Sequence, residues 1–177
     1  MVKLSIMNTE KLRNIKMVIF DVDGVLSDGK IILDNNGVET KNFDVHDGQG
    51  IVYLHRVGIK TAIITGRDVK IVDIRAKELG ITEVFQGARF KNEALDIILK
   101  KHKLSKDEIC YMGDDFPDLL VMRHVGFAVA VKNARPELKK IAHYTTKAMG
   151  GRGAAREVCE MILKAQGHWK TIMARYE

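Results

Sequence analysis

The sequence has few of the residues that mark disulfide-rich, zinc-binding or membrane-spanning proteins. Its two cysteines, Cys110 and Cys159, have neither metal-ligand spacing nor a disulfide framework around them. This usage fits a reducing compartment. No apolar run reaches the roughly 18 residues that a membrane span requires, and the first residues, MVKLSIMNTEKLRN, lack the apolar centre of a signal peptide. We therefore expect a cytoplasmic protein with no membrane partner.

Aromatic residues are also scarce, at 6% of the chain. The formal net charge is +6, but the 29 lysines and arginines are spread along the sequence rather than gathered in a block. A groove for single-stranded nucleic acid interleaves basic and aromatic side chains, so we expect no nucleic-acid partner. A small anionic substrate suits the positive charge equally well. With 177 residues, 46% of them hydrophobic, the chain is expected to form one domain over residues 1–177.

Short apolar runs alternate with helical patterns along the chain. Strands are predicted at 17–20, 59–65, 108–113 and 126–131, and helices at 69–80, 92–104, 117–125 and 136–144. Continuous apolar runs are typical of parallel strands covered on both faces. The predicted fold is therefore α/β, an open and mainly parallel Rossmann-like sheet with helices on both faces. Such sheets bind ligands beyond the carboxyl ends of their strands.

The first and second predicted strands are separated by only a short insert. Asn-Asn-Gly at 35–37, between two β-like runs, predicts a β-hairpin flap at about 30–44. The hairpin and one helix fill the interval, so no cap domain is expected. At the other end of the chain, a loop rich in glycine and arginine, a helix and a tail occupy about 148–177.

The segment FDVDGVLSDG places Asp21 and Asp23 directly after the first strand. Neighbouring carboxylates repel one another, and a hard cation such as Mg²⁺ is their usual counter-charge. One carboxylate can attack phosphorus and carry the phosphoryl group as an acyl phosphate. A second can give a proton to the leaving oxygen and later take one from water. Gly24 lets the backbone turn tightly here, although a DxD pattern alone is more often an acidic turn.

Polar residues follow the second strand as well. Thr65 and Gly66 offer a hydroxyl and backbone N–H groups that suit a phosphoryl oxygen. The alternative is that Thr65 or Asp68 caps the next helix. Lys91 lies just before a helix, where it can hold a nucleophile and phosphoryl oxygens together electrostatically. Taken in isolation, Lys91 is more often interpreted as a surface lysine.

A third strand ends in YMGDDFPD, which carries Asp114, Asp115 and Asp118. Helix N-termini attract some acidic residues. Three more carboxylates at one sheet edge nevertheless indicate a metal site.

Four motifs in this order resemble those of the haloacid dehalogenase superfamily of phosphohydrolases, over roughly residues 15–165. DVDG and GDDFPD are the most specific parts. The resemblance implies an Mg²⁺-dependent phosphatase with an aspartyl-phosphate intermediate. It implies the following roles: Asp21 as nucleophile and metal ligand, Asp23 as general acid/base with its backbone carbonyl on the metal, Thr65 and Gly66 on the phosphoryl group, Lys91 stabilising it, Asp114 as a metal ligand, and Asp115 or Asp118 as ligand or supporting residue.

The segment AMGGRGAAREVCEMILKAQG, at 148–167, is either a flexible connection or an anion-gripping loop that offers Arg152 and Arg156. Together with GVLSDG, FDVHDGQG and TGRD, it resembles the family of 3-deoxy-D-manno-octulosonate 8-phosphate phosphatases. That resemblance implies lipopolysaccharide inner-core sugar synthesis and a homotetramer whose subunits cap one another. His46 departs from it, because many members have arginine there. A phosphatase of a nine-carbon sugar acid phosphate and a non-catalytic oligomerisation module remain alternatives.

The implied substrate, a sugar acid phosphate, also carries a carboxylate. An arginine pairs with a carboxylate in a bidentate manner. Arg67 and Arg75 lie two helical turns apart after the second motif and are the candidates, with Arg152 from the later loop. The alternative for Arg75 is a solvated helix position.

Overall fold

The computed structural model describes residues 6–177. The helices are α1 (Ile6–Arg13), α2 (Val45–Arg56), α3 (Lys70–Leu79), α4 (Lys91–His102), α5 (Leu119–Met122), α6 (Pro136–Ile141), α7 (Ala154–Ala165) and α8 (Trp169–Met173). The strands are β1 (Met17–Phe20), β2 (Ile32–Leu33), β3 (Glu39–Thr40), β4 (Lys60–Ile64), β5 (Glu83–Phe85), β6 (Ile109–Gly113), β7 (Phe127–Ala130) and β8 (Tyr144–Thr145). In this part of the chain, no helix is both long and apolar enough to cross a bilayer.

Six of the strands form one parallel sheet in the order β5-β4-β1-β6-β7-β8. At the centre, Phe20 of β1 stands beside Ile63 of β4 and Met112 of β6. The predicted α/β class and mainly parallel sheet are confirmed. The two edge strands, β5 and β8, were not predicted, because runs of three and two residues are too short to show a pattern.

The core lies on both faces of the central strands, whose residues are buried throughout β1, β6 and β7. Helix α7 contacts both α1 and α2, and α4 contacts α5. Two predicted helices are shorter than expected. The pattern at 117–125 begins with a tight turn, Phe116–Asp118, and α5 ends at Met122. Helix α6 stops at Ile141 because Tyr144 pairs with Val129 of the sheet.

The predicted hairpin is confirmed: β2 and β3 are antiparallel, with Leu33 opposite Glu39. The Asp34 carboxylate holds its turn by accepting from the N–H groups of Asn36 and Val38 at 2.9 and 2.8 Å. Gly37 supplies the positive φ of 76° that the turn needs. Between β1 and β4 lie only one turn, this hairpin and α2, so the fold has no cap domain.

The motif DGQG at 47–50 fixes α2 against α7. The buried Asp47 carboxylate accepts from the N–H groups of Gly153 and Arg156, at 3.2 and 2.7 Å, and so caps α7 from a different helix. A Cβ on Gly50 would lie 3.2 Å from the Arg156 Cα, so glycine permits the close approach. Burial raises the pKa of Asp47 to about 6.

We expect Asp47→Ala to lower the free energy of unfolding by about 2–3 kcal/mol, because two helix-terminal N–H groups lose their buried acceptor. Chemical denaturation measures the change. Asp47→Asn is the control, since it keeps an acceptor oxygen and should cost less. The folded pKa of Asp47 lies above its unfolded value, so the wild type loses stability as the pH rises from about 4 through 6. The asparagine variant should therefore gain stability relative to wild type as the pH rises from about 4 to 6, and the difference should level off above that. An alanine variant as stable as wild type would contradict this account.

Candidate active site

The site is built at the carboxyl end of β1, where Asp21 follows the last strand residue. Its Oδ1 accepts from the Val22 N–H at 2.7 Å and lies 3.0 Å from the Lys91 Nζ. The Asp21 N–H continues the sheet by donating to the Met112 carbonyl at 3.1 Å. The two central strands, β1 and β6, therefore fix the backbone of Asp21, while its side chain lines the cleft.

After Asp21 the chain forms one wide helical turn, Val22–Leu26, closed by the Ser27 N–H on the Val22 carbonyl at 2.9 Å. Within it Gly24 has a φ of 90°. A Cβ there would stand 2.2 Å from Asp114 Oδ2. Glycine is thus required both by the backbone conformation and by the contact with Asp114, the acidic residue that follows the neighbouring strand β6.

Three carboxylates meet at this sheet edge: Asp21, Asp114 and Asp118 each place an oxygen within 4.8 Å of the others. Burial, and then the charges of Asp21 and Asp118, raise the pKa of Asp114 to about 8. Burial likewise raises the pKa of Asp21, with Asp118 adding to the effect. Asp114 Oδ1 is buried and has no hydrogen-bond partner. A crowded carboxylate set with an orphaned oxygen fits a hard divalent cation such as Mg²⁺.

Asp118 is better described as a support than as a ligand. Its Oδ1 accepts from the Lys91 Nζ and the Tyr111 hydroxyl, each at 2.6 Å. Its Oδ2 accepts from the N–H groups of Asp114 and Asp115 at 2.9 and 3.2 Å. Four donors on a residue that is 1% exposed leave little capacity for a metal.

Lys91 joins this group from the first turn of α4. Its side chain is only 3% exposed and bridges Asp21 and Asp118, so its reading as a surface lysine is wrong. Burial alone would lower the pKa of Lys91, but the two carboxylates outweigh it and raise the pKa. The lysine therefore stays charged beside Asp21.

Asp115 differs from its neighbours because it is exposed and its Oδ1 accepts from the Phe116 N–H at 2.9 Å. It caps the turn that leads into α5. Although Asp115 lines the cleft, the sequence expectation of a metal role gains no geometric support, since its carboxylate lies outside the three-carboxylate cluster.

Thr65 and Gly66 line the same cleft after β4. Thr65 is buried, and its N–H donates to the Phe85 carbonyl at 2.9 Å. Helix α3 begins after Val69 and has no side-chain cap, so the alternative that Thr65 or Asp68 caps it is wrong. The cleft has a volume of about 370 Å³, within the usual range for small-molecule sites. Its lining comprises Asp21, Asp23, Gly29, Thr65, Gly66, Arg67, Lys91, Asp114, Asp115, Pro117 and Asp118.

Asp23 also lines the cleft, but its side chain is tied to the hairpin. Its Oδ1 lies 2.5 Å from the Lys41 Nζ. Arg67 is engaged there too, in a bidentate pair with Glu39 at 2.9 and 2.7 Å. Sequence reasoning missed Lys41 and Glu39. The available signal was their i, i+2 spacing, which places both on one face of a strand.

The structure places Arg75 away from the cleft, between α3 and α2. Its guanidinium pairs with Glu78 at 2.8 Å, donates to the Asp44 carbonyl at 3.4 Å and stacks over Phe43. Gly48 makes room for it, since a Cβ there would stand 2.5 Å from Arg75 Nη2. Arg75 does not line the cleft of this chain, so the expectation that it binds substrate gains no support from the geometry. The alternative of a solvated position is wrong, because only 17% of its side chain is exposed.

The loop of glycine and arginine packs on the turn that follows Asp21. A Cβ on Gly150 would stand 1.6 Å from the Gly24 carbonyl oxygen, and the Gly151 N–H donates to the Val25 carbonyl at 2.8 Å. Asn133 clamps the loop, donating to the Gly24 carbonyl at 3.4 Å and accepting from the Gly150 N–H at 2.8 Å. These contacts contradict the alternative of a flexible connection. They also make the glycines part of the support for Asp21.

The two arginines of this segment have different surroundings. Arg156 Nε donates to the Glu160 carboxylate at 2.8 Å, and its guanidinium lies over the Tyr53 ring, so both of its contacts are made within this chain. Arg152 is exposed and lies outside the residues that line the cleft of its own chain. The pKa of Asp28 is lowered mainly by the Lys30 N–H that donates to it, and to a smaller extent by nearby Arg152. Arg152 is thus exposed to solvent near Asp28 and is not among the residues that line the cleft.

Comparison with known proteins shows which family the chain is similar to. A family model described as haloacid dehalogenase-like hydrolase matches residues 70–157. An Escherichia coli K12 protein named 3-deoxy-D-manno-octulosonate 8-phosphate phosphatase is 48% identical over 157 residues, which cover 89% of this chain and 84% of that protein.

Solved structures of phosphatases with the same name are also similar to this chain. The Yersinia pestis phosphatase of the same name superposes with a TM-score of 0.92 at 45% identity, covering 93% of this chain and 89% of that one. The Moraxella catarrhalis phosphatase, described in complex with magnesium ion, phosphate ion and a KDO molecule, superposes with a TM-score of 0.94 at 45% identity. Coverage is 96% of this chain and 97% of that one.

Proposed function

The chain belongs to the haloacid dehalogenase-like family of 3-deoxy-D-manno-octulosonate 8-phosphate phosphatases, and from this we propose that it hydrolyses that phosphate ester to the free sugar acid and inorganic phosphate. One observation carries the chemistry. Asp21 directly follows the central strand β1, and its carboxylate has an oxygen 3.0 Å from the Lys91 Nζ and an oxygen within 4.8 Å of one of Asp114. We propose that residues 1–177 act as one catalytic domain, in the synthesis of the lipopolysaccharide inner-core sugar in the cytoplasm.

The first step is phosphoryl transfer to the enzyme. An Asp21 carboxylate oxygen attacks phosphorus, and the bond between phosphorus and the sugar oxygen breaks. Asp23, as general acid, gives a proton to that oxygen, so that the sugar leaves as an alcohol. Lys91, with Thr65 and Gly66 at the end of β4, stabilises the charge on the transferring phosphoryl oxygens.

The second step releases phosphate. Water attacks the phosphorus of the aspartyl phosphate, and the bond to Asp21 breaks. Asp23, now ionised, takes the proton of that water as general base and is ready for the next cycle.

The cofactor is Mg²⁺. Asp21, Asp114 and the Asp23 backbone carbonyl would hold it, and it would neutralise negative charge at this site. Asp118 orients this group through its bonds to Lys91 and Tyr111. The protein thereby positions a nucleophile that would otherwise repel an anionic substrate.

The substrate's own carboxylate requires a cation near the cleft mouth. Arg67 lines the cleft and is 37% exposed on its side chain. Arg152 is exposed on the loop that packs on the Asp21 turn. We propose that these two arginines, rather than Arg75, recognise the sugar acid, with Gly24 shaping the turn against which it rests.

Substrate choice is tested by phosphate release from a panel of sugar phosphates in Mg²⁺. We expect kcat/KM for 3-deoxy-D-manno-octulosonate 8-phosphate to exceed that for a neutral sugar phosphate of similar length by at least about 100-fold, because a site built for a carboxylate discriminates strongly against its absence. A higher value for the nine-carbon sugar acid phosphate would reassign the substrate within the same class. Equal values for acidic and neutral sugars would contradict the proposal.

The hairpin exposes an apolar surface that supports a homotetramer. Its large apolar side chains are exposed by 63% at Ile31, 38% at Ile32, 59% at Leu33 and 57% at Val38. A two-stranded hairpin is marginal alone, and a contiguous exposed apolar patch marks an interaction site. We propose that a second copy of this chain covers the patch, so that neighbouring subunits cap each other's open cleft.

We expect the double variant Leu33→Glu with Val38→Glu to reduce the assembly to smaller species, because two buried charges without partners oppose the interface. Light scattering in dilute solution measures the mass. Ile97→Glu is the matched control, since Ile97 is 54% exposed on α4, outside the hairpin. A wild-type monomer with full activity, or a double variant that stays tetrameric, would dispose of capping through this surface.

A further inference from the structure

We infer that Lys41 is the residue that positions the general acid/base Asp23, and that the hairpin is therefore part of the catalytic machinery as well as an assembly surface. Lys41 is a positioning residue, because its ammonium contacts Asp23 and Glu39 and is not among the groups that line the cleft. The inference rests on the proposed function, since it assigns a role within that reaction.

The burial of Lys41 is the first observation. Its side chain is 0% exposed, although lysine is almost never fully buried unless paired. The ammonium has two partners, Asp23 Oδ1 at 2.5 Å and Glu39 Oε1 at 2.9 Å. The two carboxylates hold the buried ammonium in a fixed position, because moving it away from either one would leave a buried charge without its partner.

The second observation is how the two oxygens of Asp23 are used. Oδ1 accepts a hydrogen bond from the Lys41 ammonium and another, at 3.3 Å, from the Ser27 hydroxyl. Among the described residues, Oδ2 has only the Arg67 Nη1 nearby, at 3.8 Å. Lys41 therefore fixes the carboxyl group by one oxygen and leaves the other to exchange a proton in the cleft. A general acid has to lie within hydrogen-bond reach of the leaving oxygen, so fixing its rotation matters directly.

The third observation is charge balance. Lys41 and Arg67 face Asp23 and Glu39, which makes two cations and two anions in one network. Lys41 and Arg67, in that order, lower the pKa of Glu39 by donating to it, so Glu39 remains an anion that anchors both cations. Glu39 and Lys41 lie on or next to β3, and the hairpin thereby ties Asp23 and Arg67 together.

Positioning of a general acid has a signature that a structural role lacks. As the ester bond breaks and the Asp21–phosphorus bond forms, a poor leaving group needs the Asp23 proton, whereas p-nitrophenolate departs as a stable anion without it. The second step is common to all esters and does not enter kcat/KM once the leaving group has been released. A loss of positioning therefore makes kcat/KM depend more steeply on the basicity of the leaving group.

The test uses Lys41→Met and para-substituted phenyl phosphates from p-nitro to p-methoxy, which share one shape and avoid the sugar contacts. We expect kcat/KM to fall by less than about 3-fold for p-nitrophenyl phosphate and by about 30-fold or more for the most basic phenol and for the sugar acid phosphate. Lys101→Met is the matched control and should show the wild-type slope, because Lys101 is likewise paired with a carboxylate, that of Glu83, but lies outside the cleft and the hairpin.

The p-nitrophenyl rate and the melting temperature report whether the variant is folded with its nucleophile intact. If Lys41→Met does not fold, Lys41→Gln is used instead, because glutamine keeps a hydrogen-bond donor with shorter reach. The dependence of kcat/KM on leaving-group basicity should then steepen less than in Lys41→Met. A slope parallel to wild type in the folded variant overturns the role of Lys41 while leaving the proposed function untouched. A wild type that releases no phosphate from the sugar acid phosphate overturns the proposed function first.

Discussion

Asp21→Asn is expected to reduce kcat for the sugar acid phosphate by at least about 10⁴-fold, the scale seen when a nucleophile is removed. An amide is isosteric with the carboxylate but cannot form the acyl phosphate. The Val22 N–H that donates to Asp21 at 2.7 Å can be retained by the amide oxygen, so the fold should persist. Phosphate release in a stopped assay, beside an unfolding curve, measures both quantities.

Glu83→Gln is the matched control for this change. Glu83 is also a buried acid in an ion-paired network, but it lies at the start of β5 and is paired with Lys101 and His102. Glu83 therefore lies on an edge strand, two strands away from the strand that leads to Asp21, and the kcat of Glu83→Gln should stay near that of wild type. If Asp21→Asn retained as much as a tenth of the activity, Asp21 would not be the nucleophile.

The second large effect concerns the metal. We expect chelation to abolish activity, Mg²⁺ to restore it, and Asp114→Asn to raise the Mg²⁺ concentration for half-maximal activity by about 10–100-fold or more. Asp114 brings a buried Oδ1 without a partner, and removing its charge removes the strongest reason for a cation to remain. Titration calorimetry with Mg²⁺ gives the affinity independently of turnover.

Asp73→Asn serves as the comparison. Asp73 is an exposed acid in the first turn of α3 that does not line the cleft, and its carboxylate accepts a hydrogen bond from the Gln86 side chain. Its Mg²⁺ affinity should match wild type. Full activity after exhaustive chelation, or an unchanged Mg²⁺ affinity in Asp114→Asn, would remove the metal from the mechanism.

The strand ends were predictable because their chemistry is local. Asp21 follows a four-residue apolar run, and Thr65 and Asp114 each follow a strand of the same parallel sheet, so one topological rule brings them to a common edge. Lys91 was predictable only through its place in the ordered set of motifs, since its burial depends on Asp21 and Asp118 meeting it in space.

The other parts of the site depend on contacts between segments that lie far apart in the sequence, and no local sequence pattern predicts these contacts. Arg75 has the helical spacing of a partner for Arg67, yet Phe43 and Gly48 of the neighbouring segment draw it into a different interface. Lys41 and Glu39 look like ordinary charges of a hairpin until the hairpin folds over Asp23. The roles of Gly150 and Gly151 likewise follow from a close backbone approach to the Asp21 turn, which no local pattern encodes.

The most direct measurement for the central claim is a crystal structure of the wild type grown with Mg²⁺ and beryllofluoride, which mimics an aspartyl phosphate. The account predicts beryllium bonded to a carboxylate oxygen of Asp21, with Mg²⁺ on Asp21 and Asp114 and the Lys91 ammonium against the fluorides. Beryllofluoride bonded to a different carboxylate, or bound with Asp21 unmodified, would contradict it.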